Sequence, residues 1–229
     1  MSHRFPASHS ERFPFSETAD RLRALMRERR LEPVRHGFAT VPGDGPRIEL
    51  LPPIVQRGPS ISDPEAFLEA REEKIGTLLV VLVQAGASAL GVLEEGQLVR
   101  HKVVKKYMVR GKGHYQGTHL KTKGKSRYGS RLRLQKAVEF FLEINQKLTR
   151  WDDEAGPFDR VYLSCPVRLA NELYGAKVPP PFDRADERVE KVPLTVRVPS
   201  LKELRRVCYE LTHGMLRTFE APVEPGLRG

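Results

Sequence analysis

A chain of 229 residues in which 39% of side chains are hydrophobic and 30% charged holds enough apolar material for a real core and a sizeable solvated periphery. Its two cysteines, Cys165 and Cys208, each sit in an apolar run and lack any CxxC-type spacing, which excludes a disulfide scaffold and a cysteine zinc site and leaves two small core residues. Lys plus Arg exceed Asp plus Glu by 39 to 29, a net charge of +10, and no run has signal-peptide or membrane-spanning character, so the expectation is a soluble, cytoplasmic protein with a polyanionic partner.

Residues 1 to 15 mix His, Ser, Pro and Phe without periodicity and read as an arm. Glu17 to Leu31 reads as a helix capped by Ser16, with Leu22, Leu25 and Met26 on one side and arginines around the rest. The prolines and glycines of Glu32 to Ser62 break regular structure and predict a surface connector. Asp63-Pro64 has the chemistry of a helix start, for a short helix through Glu73. Residues 1–74 are thus expected as an appendage, 75–220 as the main domain and 221–229 as a tail.

The core begins at Gly76. Thr77 to Val83 is a continuous apolar, β-branched run that suits a strand buried on both faces. Gly86 to Leu93 reads as the next strand, Glu94 to Gln97 as a hairpin turn and Leu98 to Val109 as a third strand that feeds a loop. Ser130 to Leu148 follows as a helix with Leu134, Ala137, Val138, Phe141, Ile144 and Leu148 on its apolar face. Then come a strand at Arg160 to Cys165, a helix from Val167 to Tyr174 stopped by Gly175, a proline-rich loop from Val178 to Asp186 and a strand at Val192 to Val198. Ser200-Leu-Lys-Glu203 is a capping box that opens a last helix, with Leu201, Leu204, Val207, Cys208, Leu211 and Met215 as its core stripe. Three antiparallel strands, a helix and two strand-helix units predict an α/β fold, a mixed sheet with packed helices in an order that resembles the ribonuclease H-like arrangement.

The basicity is local. Between Gln97 and Val138 all 13 charged side chains are positive, and the remaining 26 basic and 29 acidic residues leave the rest of the chain at −3. In the middle lies Arg110-Gly-Lys-Gly-His-Tyr-Gln-Gly-Thr-His119, then Lys121-Thr-Lys-Gly-Lys-Ser-Arg-Tyr-Gly129. A glycine-bearing stretch with this charge repels itself until a polyanion neutralises it, and nucleic acid is the matching polyanion. The helix that follows opens with basic residues and unpaired N–H groups, which together favour a bound phosphate.

Other chemistries fail on spacing. Gly124-Lys125-Ser126 ends like a phosphate-binding loop, but the glycine required five positions earlier is His119. A dinucleotide fingerprint starting at Gly111 meets Gln116 at its third glycine. His114 and His119 have no third metal ligand at regular spacing, and no Ser-His-Asp arrangement is specified. What remains is Gln116 in a basic loop. Its amide does not titrate near neutral pH, yet it donates and accepts hydrogen bonds and so orients a water or a ribose hydroxyl. From the residues alone, this role and a loop that merely grips RNA stay equally open.

The run Val109-Arg-Gly-Lys-Gly-His-Tyr-Gln-Gly117, continued through Gly129 and Arg131-Leu-Arg133, resembles the catalytic loop of release-factor-like peptidyl-tRNA hydrolases of ribosome-associated quality control. A second stretch, Val192-Pro-Leu-Thr-Val-Arg-Val-Pro-Ser-Leu-Lys-Glu-Leu-Arg-Arg-Val207, is similar to that family's strand, turn and closing helix. Together the resemblance spans roughly residues 75 to 217, without the ankyrin repeats or zinc finger of the larger members. It implies a ribonuclease H-like release-factor catalytic domain, Gln116 as catalytic glutamine and Gly113 as a hinge of its loop. Arg110, Lys112, Lys121, Lys123, Lys125, Arg127, Arg131 and Arg133 are then the RNA-binding set. The implied partners are the large ribosomal subunit with its 23S-type rRNA and peptidyl-tRNA, for a monomer with no membrane, metal or cofactor. His114 and Tyr115 stand where release factors carry glycines, and bulkier residues restrict φ there. That departure keeps two alternatives in view, a non-catalytic factor occupying the peptidyl transferase centre and an endonuclease acting at the tRNA 3′ end.

Overall fold

The computed structural model describes residues 7–43, 45–57, 63–106 and 125–220, with side chains of the helical stretch from residue 135 on. Chain order gives β1 (His9–Pro14), α1 (Thr18–Glu28), β2 (Leu31–Val34), β3 (Gly37–Thr40), β4 (Arg47–Leu51) and α2 (Pro64–Ala70). There follow β5 (Thr77–Gln84), β6 (Ala87–Glu94), β7 (Gln97–Lys105), α3 (Lys125–Ala155), β8 (Arg160–Ser164), α4 (Val167–Tyr174), β9 (Val189–Lys191), α5 (Leu201–Thr212) and β10 (His213–Phe219). Two compact units result, one joining residues up to Ile75 with those from Tyr209 on, the other formed by Gly76–Cys208. The class is mixed α/β.

In the first unit the sheet runs β1-β10-β4-β3-β2, with every neighbouring pair antiparallel. Phe13, Leu22, Leu25, Phe38, Leu50 and Phe67 form its core, and Phe38 meets Phe67 edge-on at 5.5 Å between ring centroids. The apolar side expected for α1 therefore packs as read. The expected arm does not hold: His9 to Pro14 is a strand whose partner, β10, begins about 200 residues downstream. Nor is the segment after Leu31 only a connector, since it carries three strands of four or five residues between its Pro and Gly turns. Ser16 lies in a short 3-10 turn ahead of α1 instead of capping it. Asp63 does cap α2, its carboxylate accepting from the Ala66 N–H at 2.9 Å with Pro64 at the first helical position.

The sheet of the second unit runs β7-β6-β5-β8-β9. β5, β6 and β7 form an antiparallel meander closed by a turn at Glu95 and Gly96, both at positive φ, while β8 and β9 add parallel to β5. Numbered within the unit, that is the order third, second, first, fourth, fifth, the strand order of ribonuclease H-like sheets. The central β5 is buried on both faces, as its uninterrupted apolar run requires. On one face Leu79, Val81, Leu90, Val92 and Val104 pack against Phe140, Phe141, Ile144, Leu148 and Trp151 of α3. On the other, Leu204 of α5 lies over Gly91, where a Cβ would press on its methyls.

Four expectations change here. α3 starts five residues before Ser130 and continues seven past Leu148, ending before Gly156, whose positive φ suits glycine. Val138 is 54% exposed, and the buried stripe is shifted to Phe140, Phe141, Ile144, Leu148 and Trp151. Two residues on a helix separate directions by about 200°, so Val138 faces away from Phe140. Residues 192–198 are not a strand, because β9 ends at Lys191 and Pro193 and Pro199 withhold ladder donors. α5 ends at Thr212, so Met215 belongs to β10 and not to the helical stripe, and the boundary between the units falls within α5. Among the described residues no helix is long and apolar enough to cross a membrane.

Candidate nucleic-acid interface

β7 is an edge strand and ends the described chain at Lys106, which resumes at Lys125 with the first residue of α3. The Lys106 N–H donates to the Gly86 carbonyl at 3.0 Å, which ties the end of β7 to the turn between β5 and β6. Along the strand and just past it, Arg100, Lys102 and Lys106 meet carboxylates on α3. Lys102 and Lys106 lie 3.5 and 3.1 Å from Glu143, and Arg100 pairs with Glu154. Three of the 13 local positive charges therefore have carboxylate partners within the fold, though Lys102 and Lys106 share Glu143 and Glu154 also pairs with Arg150. All of these pairs are partly solvated, so each contributes about 0.2–1 kcal/mol and a phosphate competes for it easily.

The pairs also fix direction: as β7 advances from Arg100 to Lys106, α3 is met from Glu154 back to Glu143. From Glu143 the helix backbone runs on to Lys125, 18 residues and about 27 Å farther. Eighteen residues, 107–124, join Lys106 to Lys125, and a chain of that length spans at most about 60 Å. Gln116 is the tenth of them, near the midpoint in sequence. Gln116, Gly113, Arg110, Lys112, Lys121 and Lys123 all lie outside the described residues, as do His114 and His119. Lys125, Arg127, Arg131 and Arg133 fall in the helical backbone of α3, within about 12 Å along its axis but with only Arg127 and Arg131 on one face, and the others lie in the connecting segment.

Sequence reasoning missed a polar clamp at the same end of the sheet. The Gln84 side chain, at the end of β5, donates from Nε2 to the carbonyls of Val196 and Arg197, both at 3.1 Å. Glu203 Oε1 accepts from the Arg197 N–H at 2.7 Å. Arg206 donates to Glu203 and, at 2.8 Å, to the Thr195 carbonyl. Ser200 caps α5 by accepting from the Glu203 N–H at 3.2 Å, so half of the capping box forms as read. Its acid reaches past the cap to Arg197 instead. The Arg206 guanidinium, and after it the Arg197 N–H, hold the Glu203 carboxyl below the usual carboxylate range against the opposing effect of burial. The one signal for this clamp was a lone glutamine ending an apolar strand.

The other reactive groups are quiet. Burial pushes the thiols of Cys165 and Cys208 up to about 11 and about 12, so neither is a nucleophile near neutral pH. Neither is in a disulfide; Cys208 is buried, as expected of a small core residue, and Cys165 is half-buried. No His/Cys/Asp/Glu group suited to a metal ion occurs among the described residues.

The profile of a family described as the Bacteroidetes VLRF1 release factor matches residues 78–218, a span that holds both sequence stretches singled out above. A mouse (Mus musculus) protein described as tRNA endonuclease ANKZF1 is 30% identical over 138 residues, covering 58% of this chain and 18% of its own. The human (Homo sapiens) protein of the same description is 28% identical over 138 residues, covering 58% and 19%. The chain thus spans about a fifth of the length of these relatives. A solved structure described as the Vms1 mitochondrial localization core aligns over 87% of this chain and 80% of its own, with a TM-score of 0.48 and 14% identity. With well over half of its length inside the matching profile, the chain belongs to the Bacteroidetes VLRF1 release factor family.

Proposed function

We propose that this protein is a peptidyl-tRNA hydrolase that releases stalled nascent chains from tRNA on the large ribosomal subunit. The observation that carries this reading is the position of Gln116 at the midpoint of an 18-residue basic segment strung between an edge strand and the start of a long helix, in a chain of release-factor family membership. A glutamine so placed orients the attacking water, or the terminal ribose hydroxyl, against the ester carbonyl, and the substrate and its surroundings carry the proton. Lys112, Lys121, Lys123, Lys125, Arg127 and Arg131 neutralise the phosphates of the tRNA acceptor and ribosomal RNA, with Gly113 as the hinge of the loop.

The test is release of a radiolabelled nascent chain from purified large subunits carrying peptidyl-tRNA. Wild-type protein releases the chain, and Gln116→Ala slows release on the order of 100-fold at unchanged subunit binding. Binding by both proteins with release by neither leaves the non-catalytic occupancy factor, for which His114 and Tyr115 ahead of Gln116 are the motive. The description of the mouse and human relatives as tRNA endonucleases favours a second reading, cleavage of the tRNA phosphodiester near its 3′ end. Product length separates the two, since ester hydrolysis leaves the tRNA intact.

A further inference from the structure

The clamp behind Thr195, Val196 and Arg197 is large for three residues outside any strand or helix. Three carbonyls and one N–H in a row are held by the side chains of Gln84, Glu203 and Arg206. The Arg197 side chain is exposed and makes no hydrogen bond or ion pair among the described residues, its charge acting on Glu203 only at longer range, and Val198 is 67% exposed. A backbone fixed from behind with an arginine in front is preorganised to present that arginine, since the entropy of ordering the segment is already met before a partner arrives.

Its neighbourhood says what the partner carries. Gln84 ends β5, β6 pairs with both β5 and β7, and Lys106 at the end of β7 bonds to Gly86 in the β5–β6 turn. The clamp is thus two strands, about 10 Å, from the root of the segment that bears Gln116. The same end of the sheet collects Lys105 at the end of β7, Arg168 after β8 and Lys191 at the end of β9, each exposed and without an ion pair to another described residue. Val167, beside Arg168, is 81% exposed. The opposite end, where β5 and β8 begin, mixes Glu94, Glu95 and Asp159 with Arg160 and Arg188. Exposed basic side chains without carboxylate partners therefore gather at the end from which the basic segment departs.

We propose that this end of the sheet is a second RNA-binding surface, with Arg197 as its fixed anchor on a backbone phosphate and Val167 and Val198 against neighbouring riboses or bases. The inference deepens the proposed function and rests on it for the identity of the RNA.

The experiment is binding of the full chain to purified large ribosomal subunits between 50 and 200 mM salt, with free tRNA as a parallel arm. Arg197→Ala loses roughly 5- to 10-fold in affinity at 0.1 M salt, and the slope of log affinity against log salt falls by about one. Arg197→Glu loses more, while Arg197→Lys keeps the slope. Because the side chain is exposed, these variants fold, which circular dichroism verifies. The same dependence on Arg197 with free tRNA assigns the phosphate to tRNA, and dependence on subunits alone assigns it to ribosomal RNA. Equal affinity and slope for wild type and Arg197→Ala overturn the inference, and nascent-chain release by wild type in that case leaves the hydrolase standing. Conversely, an Arg197-dependent slope without release by wild type supports the surface and removes the hydrolase. A wild-type chain that binds neither RNA overturns both.

Discussion

The two sheets of this protein solve different problems. In β5 and β6 nearly every residue is buried, because helices cover both faces and the strands have no wet side. In β1, β4 and β10 burial is sparse and irregular, and the sheet joins strands from opposite parts of the chain. A strand buried on both faces supplies stability mainly through apolar contact, at about 25 cal/mol per Å² removed from water. It leaves polar groups at its ends free for other work. The half-covered sheet depends on register and close fit, since it pairs β1 with β10 and so closes the chain on itself.

The largest effect that sharpens this contrast lies in the second unit. Phe140 is fully buried against the α3 face of the sheet and meets Phe141 edge-on at 5.1 Å. Phe140→Ala should cost about 3–5 kcal/mol, seen as a lower denaturant midpoint with loss of hydrogen-exchange protection in β5 and β6. A loss below about 1 kcal/mol would show that apolar packing does not dominate there. In the other sheet the sensitive point is fit rather than volume. Gly214 sits opposite Phe13, and a Cβ there would overlap the phenyl ring and press on the Leu51 carbonyl. Gly214→Ala should cost about 1–3 kcal/mol, with exchange rising first in β1 and β10. An unchanged protection pattern would mean that the close approach is not what holds the chain's ends together.

The same contrast explains what was legible in the sequence. β5, β6 and β7 announce themselves locally, by an unbroken apolar run, a turn and a strand rich in valine and lysine, and each pairs with the next along the chain. α4, the start of α5 and its cap were equally local. β1 was not, because Phe13 is its one buried residue and its partner begins at His213. The alternating residues of 192–198 read as a strand until Pro193 within them and Pro199 just after them are placed where a ladder would need donors. The basic segment with Gln116 was legible from composition and motif. The clamp behind Arg197 was not, since Gln84 finds its acceptors 112 and 113 residues away.

That clamp titrates. The folded-state pKa of Glu203 is depressed by Arg206 and the Arg197 N–H, so its contribution to stability is fully present above the unfolded carboxylate value and is lost as pH falls through the folded one. Charge-assisted hydrogen bonds of this kind contribute about 1.5–3 kcal/mol. Wild-type stability should therefore fall more steeply than that of Glu203→Gln as pH drops below the ordinary carboxylate range, with the two curves converging in acid. Parallel curves in urea melts at stepped pH would show that the carboxylate is not what holds residues 195–197.

The smallest stability effect has the most to say about function. Glu143 is the carboxylate that α3 sets against both Lys102 and Lys106 at the root of the basic segment. Each pair is partly exposed, so Glu143→Gln should cost less than about 1 kcal/mol in a denaturant melt. If RNA reaches the stem, its phosphates must displace this carboxylate to engage the two lysines, and removing the competitor both tightens binding and adds a positive charge to the surface. Affinity for large subunits should then rise a few-fold at 0.1 M salt, with a salt slope steeper by one or two phosphates. An unchanged slope would confine the RNA footprint to the segment beyond Lys106 and to the surface around Arg197, with β7 serving only to hold them in place.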